Sequence, residues 1–275
     1  MESNQFIPFK NSTLFYRVSG QGKIVVLIHG FGEDGNVWKE IEAKLKTNFQ
    51  VIIPDVPGSG KSTLLKNGDS EISIDDYAEA IVHILKNESV SKCTVIGHSM
   101  GGYITLAIAE KYPGILNGFG LFHSTAFADN EEKKQTRLKS IDFIQTHDAL
   151  SFLKTSTPGL FSDKFKEKHA EVIEKLINAG SSFSSETLVQ YQKAMINRPE
   201  RKTVLENTKL PVLFIIGEKD QSIPLQQSLE QCHLRLVSSV HILPDAAHMG
   251  MFEESELCND ILLSFLGIVY KRLSK

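Results

Sequence analysis

Short apolar runs recur along the chain, and longer segments between them carry apolar residues three or four positions apart. Ile24–Ile28 is a continuous apolar run, and Val51–Ile53, Thr94–Ile96, Gly118–Phe122, Val212–Ile216 and Val240–Leu243 are similar. Thr13–Val18 alternates instead and ends at Gly20. Continuous β-branched runs suit strands covered on both faces, as in a parallel sheet. Asp75–Asn87 has a stripe of Tyr77, Ala78, Ile81, Ile84 and Leu85, which predicts a helix with one buried face. Ser99–Lys111 is rich in Ala, Ile and Leu and is closed by Pro113, and Ser255–Leu266 is apolar on one side. Strand and helix in alternation predict an α/β class with a mostly parallel, doubly wound sheet.

One stretch breaks this rhythm. From about Ser124 to Thr208 no strand pattern occurs. Charged helical segments, Glu131–His147, Ser162–Ala179 and Ser185–Ile196, are separated by breakers such as Thr157-Pro158-Gly159 and Gly180-Ser181-Ser182. The expected organisation is a core of residues 1–124 and 209–275, interrupted by a helical insertion at 125–208.

Composition narrows the class. With 275 residues, 41% hydrophobic and 23% charged, the chain suits a soluble globular enzyme. A net charge of -3 without basic clusters gives no reason to expect nucleic acid. Cys93, Cys232 and Cys258 are too few and too scattered for a metal site or a disulfide framework. The polar start MESNQFIPFK lacks a signal-peptide core, and no run reaches the roughly 18 apolar residues of a membrane span. A cytoplasmic location is expected. Nothing in the pattern specifies an oligomeric state.

The stretch Val51–Leu65 contains GSGKST, which resembles a phosphate-binding loop. Gly60, Lys61 and Ser62 fit the end of G-x-x-x-x-G-K-[ST], but the first glycine position holds Asp55. A carboxylate there would repel phosphate, and no long helix follows before Gly68. A different role is expected for this loop.

In open parallel sheets, ligands sit beyond the carboxyl ends of the strands. Those ends carry His29-Gly30-Phe31-Gly32, Gly97-His98-Ser99-Met100-Gly101, Gly217-Glu218-Lys219-Asp220 and Pro244-Asp245-Ala246-Ala247-His248. The second is G-x-S-x-G between a strand and a helix, a sharp turn that lifts a serine hydroxyl clear of the backbone. A serine needs a base and the base an orienter, so Ser99, His248 and Asp220 are the candidate nucleophile, base and acid. Glu218 and Asp129 are rival acids. The Met100 amide, at a helix N-terminus, and the Phe31 amide are candidate oxyanion donors. His29, Gly30, His123 and Met249 are candidate substrate contacts. His98 is read as a packing or hydrogen-bonding neighbour, and His29 doubles as a brace for its loop.

These motifs, with D-x-P-G-x-G-x-S over Asp55–Ser62 and PDAAHMGMFEE near the end, resemble the α/β-hydrolase superfamily over almost the whole chain. The resemblance implies an α/β-hydrolase fold in which the GSGKST stretch is a structural loop and the insertion is a helical cap. Ser99 sets the chain apart from members with an aspartate nucleophile. GHSMGG is most similar to carboxylesterases and related lactone hydrolases. The implied function is hydrolysis of a small, largely apolar ester, thioester or lactone through an acyl-serine, with no metal or organic cofactor. The alternatives are a C–C or amide hydrolase on the same triad, or a slow-turnover ligand receptor of the same fold.

Overall fold

A computed structural model describes residues 2–66, 68, 70–234 and 238–272. Among the described residues, eight strands form one sheet in the order β1-β2-β4-β3-β5-β6-β7-β8. They are β1 (Glu2–Phe9), β2 (Ser12–Ser19), β3 (Lys23–Ile28), β4 (Phe49–Pro54), β5 (Cys93–His98), β6 (Leu116–Phe122), β7 (Val212–Gly217) and β8 (Ser238–Leu243). From β4 to β8 every neighbouring pair is parallel, whereas β1–β2 and β2–β4 are antiparallel.

Alternate strand residues feed two separate cores. Val26, Ile28 and Ile52 join α2 (Ile74–Asn87) and α3 (Met100–Lys111) on one face. Val25, Leu27, Val51 and Ile53 join α1 (Lys39–Leu45) and α12 (Ser255–Arg272) on the other. Burial on both faces explains why the central strands read as unbroken apolar runs. Helix α2 starts sharply because Ser73 and Asp76 form a reciprocal capping box.

Between β6 and β7 the described chain is helical: α4 (Glu131–Thr146), α5 (Ala149–Ser156), α6 (Asp163–Lys168), α7 (Ala170–Ala179), α8 (Ser185–Ile196) and α9 (Lys202–Asn207). The sequence predicts one helix over Ser162–Ala179, but His169 leaves the helical region (φ -135°, ψ 40°) and splits it. Helices α5 and α9, and α10 (Leu225–Cys232) after β7, carry apolar stripes too short to stand out in sequence. The polar N-terminal stretch is strand β1, an edge strand whose only buried residues are Ile7 and Phe9.

The phosphate-loop resemblance resolves at the end of β4. Asp55 turns inward and accepts the Gly35 amide (2.9 Å) and the Lys61 amide (2.8 Å). Ser62 ties the loop to β2 through the Phe15 amide (2.8 Å). The carboxylate thus occupies the centre of the loop, and the Lys61 ammonium lies over the Phe15 ring at 4.8 Å.

The turn between β5 and α3 tolerates no side chain at its glycines. A Cβ on Gly97 would lie 2.1 Å from the Gly101 carbonyl oxygen, and one on Gly101 would lie 2.3 Å from that of Ile28. Gly101→Ala must therefore push β3 and α3 apart. It is expected to lower stability by about 2 kcal/mol or more, read as a lower urea midpoint by fluorescence of the single tryptophan, Trp38.

Candidate active site

Ser99 sits at the tip of that turn with φ 50° and ψ -116°, a strained backbone for a residue with a Cβ. Three hydrogen bonds hold it there. Its amide donates to the Phe122 carbonyl (3.0 Å), and its carbonyl accepts from the Gly102 amide (2.9 Å) and the Ser124 hydroxyl (2.7 Å). The side chain lines a cavity of about 160 Å³, shared with His248, Phe31, Phe152, Leu153 and Met195. Among the described residues, no hydrogen bond joins the serine hydroxyl to the imidazole. Such contacts commonly close only when substrate binds.

His248 Nδ1 lies 2.7 Å from Asp220 Oδ2. The other oxygen of Asp220 accepts the Ser222 and Ile223 amides at 2.7 and 2.9 Å. Burial opposes ionisation of Asp220, but the facing imidazoles of His248 and His123 outweigh it and hold the carboxyl far below its usual range. The downward shift keeps Asp220 ionised near pH 7, and among the described residues Nε2 of His248 has no hydrogen-bond partner. The rival acids are placed elsewhere: Glu218 is exposed, and Asp129 pairs with Arg137 (2.6 Å) and Arg198 (2.9 Å).

Neither the Phe31 nor the Met100 amide has a hydrogen-bond partner among the described residues. Met100 opens α3, whose first amides lack intrahelical acceptors. Both residues adjoin the cavity through Phe31 and Ser99.

The four expected substrate contacts lie behind the cavity wall. His29 is fully buried; its Nε2 accepts the Val56 amide (2.9 Å) and lies 2.8 Å from the Ser59 hydroxyl, bracing the loop after β4. The Gly30 amide donates to Glu33 (2.8 Å). Met249 is buried in the core under α12. His123 lies 3.5 Å from Asp220 Oδ2, and burial pushes its imidazole down to about 4, against the pull of Asp220, so it is neutral near pH 7.

His98 is a hydrogen-bonding neighbour, as expected, and uses both ring nitrogens. Nδ1 faces Glu33 Oε2 at 3.0 Å and Nε2 faces the His248 carbonyl at 2.9 Å. Both partners are acceptors, so both ring nitrogens must carry hydrogen and the ring is an imidazolium. Burial works against that charge, but Glu33 raises the imidazole above its ordinary value overall. Burial likewise opposes the Glu33 carboxylate, and His98 lowers it overall. Glu33 had no signal in the sequence beyond its place four residues after His29.

Residues 23–255 match the family described as "alpha/beta hydrolase fold". A dihydrolipoyllysine-residue acetyltransferase component of an acetoin cleaving system from Pseudomonas putida is 27% identical over 256 residues, covering 92% of this chain. This chain spans 66% of that longer relative. A 2-hydroxy-6-oxononadienedioate/2-hydroxy-6-oxononatrienedioate hydrolase from Escherichia coli K12 is 24% identical, covering 94% of this chain and 92% of its own length. A thermophilic esterase from Thermogutta terrifontis, solved with malate bound, superposes with a TM-score of 0.90 at 25% identity, covering 97% of this chain and 99% of its own.

Glu33→Gln would leave the His98 charge buried without its partner, at a cost of about 3 kcal/mol. The sign of the pH effect is fixed by the raised imidazole. Its stabilisation is complete below about 6.5 and is lost as pH rises through the higher folded value. The wild-type urea midpoint should fall as pH rises through that interval, and Glu33→Gln should be less stable at pH 6 with this fall flattened.

Proposed function

The chain belongs to the α/β-hydrolase family, and we propose that it is a serine hydrolase that cleaves a small carboxylic ester through an acyl-serine. The observation that carries this reading is the 2.7 Å Asp220–His248 hydrogen bond beside a cavity lined by both His248 and Ser99. Ser99 Oγ attacks the ester carbonyl while His248 Nε2 takes its proton. The Phe31 and Met100 amides receive the oxyanion, each such donor being worth roughly 3 kcal/mol in the transition state. Collapse expels the alkoxide, which takes the former Ser99 proton from Nε2 and leaves as the alcohol. A water then gives a proton to His248 as it attacks the acyl carbonyl, and collapse frees the acid while Nε2 returns that proton to Ser99 Oγ.

Residues 125–208 serve in this reading as a cap. Phe152, Leu153, Leu160 and Leu176 reach the cavity from that segment, and the Leu160 carbonyl accepts the His248 amide at 2.9 Å. The segment thus both walls the site and steadies the loop bearing the base. Thioesters and lactones fit the same chemistry. The E. coli relative, named for a 2-hydroxy-6-oxo dioate, favours a second reading in which the same three side chains split a carbon–carbon bond. The three cysteines are free thiols, in keeping with a cytoplasmic setting. Among the described residues no helix is long and apolar enough to cross a membrane.

Steady-state hydrolysis of p-nitrophenyl esters from acetate to decanoate tests this function. Wild type is expected to turn over its preferred ester at about 1 per second or faster. Ser99→Ala should lose a factor of roughly a thousand or more, and Asp220→Asn a comparable factor. Undiminished turnover in Ser99→Ala would refute the assignment.

A further inference from the structure

The cavity holds more positive charge than its own acids can balance. Lys133 and Arg137 both line it, on the same wall-forming helix α4. Being four positions apart, they stand one turn from each other on one helix face, where like charges repel. Arg137 spends Nε on Asp129 (2.6 Å) and Nη1 on Gln192 (3.1 Å). Asp129 is shared with Arg198, which donates to it at 2.9 Å and lies against the Tyr103 ring at 4.0 Å. Two arginines therefore share a single carboxylate, and Lys133 makes no ion pair among the described residues.

The other nearby acids are committed. Glu33 belongs to the His98 imidazolium, and Asp220 to His248 and two amides. The hydrogen bond that Lys133 makes to a described residue goes to a neutral acceptor, the Ser222 carbonyl at 2.9 Å. Burial, and then Arg137, push its ammonium below the usual lysine value against the pull of Asp129 and Asp220, neither of which it pairs with directly. Arg137 Nη2 has no partner among the described residues. One arginine edge and one ammonium remain at the wall of the cavity in which an ester would meet Ser99.

We propose that Lys133 and Arg137 form an anion subsite, and that the substrate carries a carboxylate distal to its scissile carbonyl. This rests on the serine-hydrolase reading and names its substrate class. Two donor groups match the two oxygens of a carboxylate, and charge-assisted hydrogen bonds are strong. The bound anion would also relieve the repulsion between the two cations. The apolar wall formed by Phe31, Phe152 and Met195 is then left for the carbon chain between the two ends. The largely apolar substrate expected from sequence becomes one with an apolar middle and a charged end.

A matched pair of substrates tests this: the mono-p-nitrophenyl ester of glutaric acid, and its neutral counterpart with the free carboxylate methylated. Wild-type kcat/KM is expected to favour the charged ester by about tenfold or more. Lys133→Met and Arg137→Gln should each shrink that ratio toward one. Lys133→Met breaks no ion pair, so it remains informative even if Arg137→Gln, which strips Asp129 of a partner, fails to fold. Calorimetric binding of glutarate to the wild-type protein gives a second readout that needs no turnover. If neither ester is hydrolysed but glutarate binds and Lys133→Met weakens it, the subsite stands and the ester reading falls. If the neutral ester is preferred, or the charged preference survives Lys133→Met, the subsite falls while the ester reading stands. Absence of both turnover and glutarate binding overturns both.

Discussion

The ion pair between His98 and Glu33 is the constraint on which the rest of the site depends. His98 ends β5 immediately before Ser99, Glu33 lies in the loop after β3, and the His248 carbonyl belongs to the loop after β8. A single imidazolium with two acceptors thus ties three separate loops, and Glu33 extends the tie to the Gly30 amide. A neutral side chain could not donate in both directions with the same ring. The site is buried enough that breaking one partner leaves an uncompensated charge, so the three loops are held together or lost together. Trp38 closes one side, with its ring edge-on to His98 at 6.3 Å and to Phe122 at 5.4 Å.

This arrangement makes use of the sheet. Parallel neighbours β3, β5, β6, β7 and β8 deliver all their carboxyl ends to one edge, and each end supplies a part. Strand β5 supplies the strained serine, β7 the acid and β8 the histidine. Strand β6 supplies the Phe122 carbonyl that anchors the Ser99 amide. The charges divide in the same orderly way. Asp220 is a buried anion that orients one histidine, Glu33 is a buried anion that charges another, and His123 between them stays neutral. His98 and His123, with ring centroids 6.1 Å apart, are thus pushed in opposite directions within one small cluster.

Much of this was legible in the chain. The strands buried on both faces announced themselves as β-branched runs, and G-x-S-x-G announced its turn because only glycine fits at Gly97 and Gly101. The edge strand β1 did not, because its first four residues are polar and only Ile7 and Phe9 turn inward. Short helices such as α5 and α9 escaped because one or two turns hold too few apolar positions to define a period. Lys133 and Arg137 looked like ordinary solvated charges on a highly charged helix, and only the packing of α4 turns them toward the cavity. His29 and His123 were misleading in the opposite sense. Their places at strand ends suggest substrate contact, yet both rings are consumed by backbone groups and neighbours. A sequence indicates which strand end a residue occupies, but the loop's own hydrogen bonds decide which way the side chain turns.

In the proposed function Ser99 is a nucleophile activated by His248 and Asp220. Mass spectrometry of the folded protein after treatment with a fluorophosphonate measures this directly, because the reagent requires an activated hydroxyl and no knowledge of the substrate. A single adduct mapped to Ser99 is expected, formed rapidly in wild type and greatly slowed in His248→Ala. A folded protein that stays unmodified at Ser99, or is labelled equally fast without His248, would contradict it.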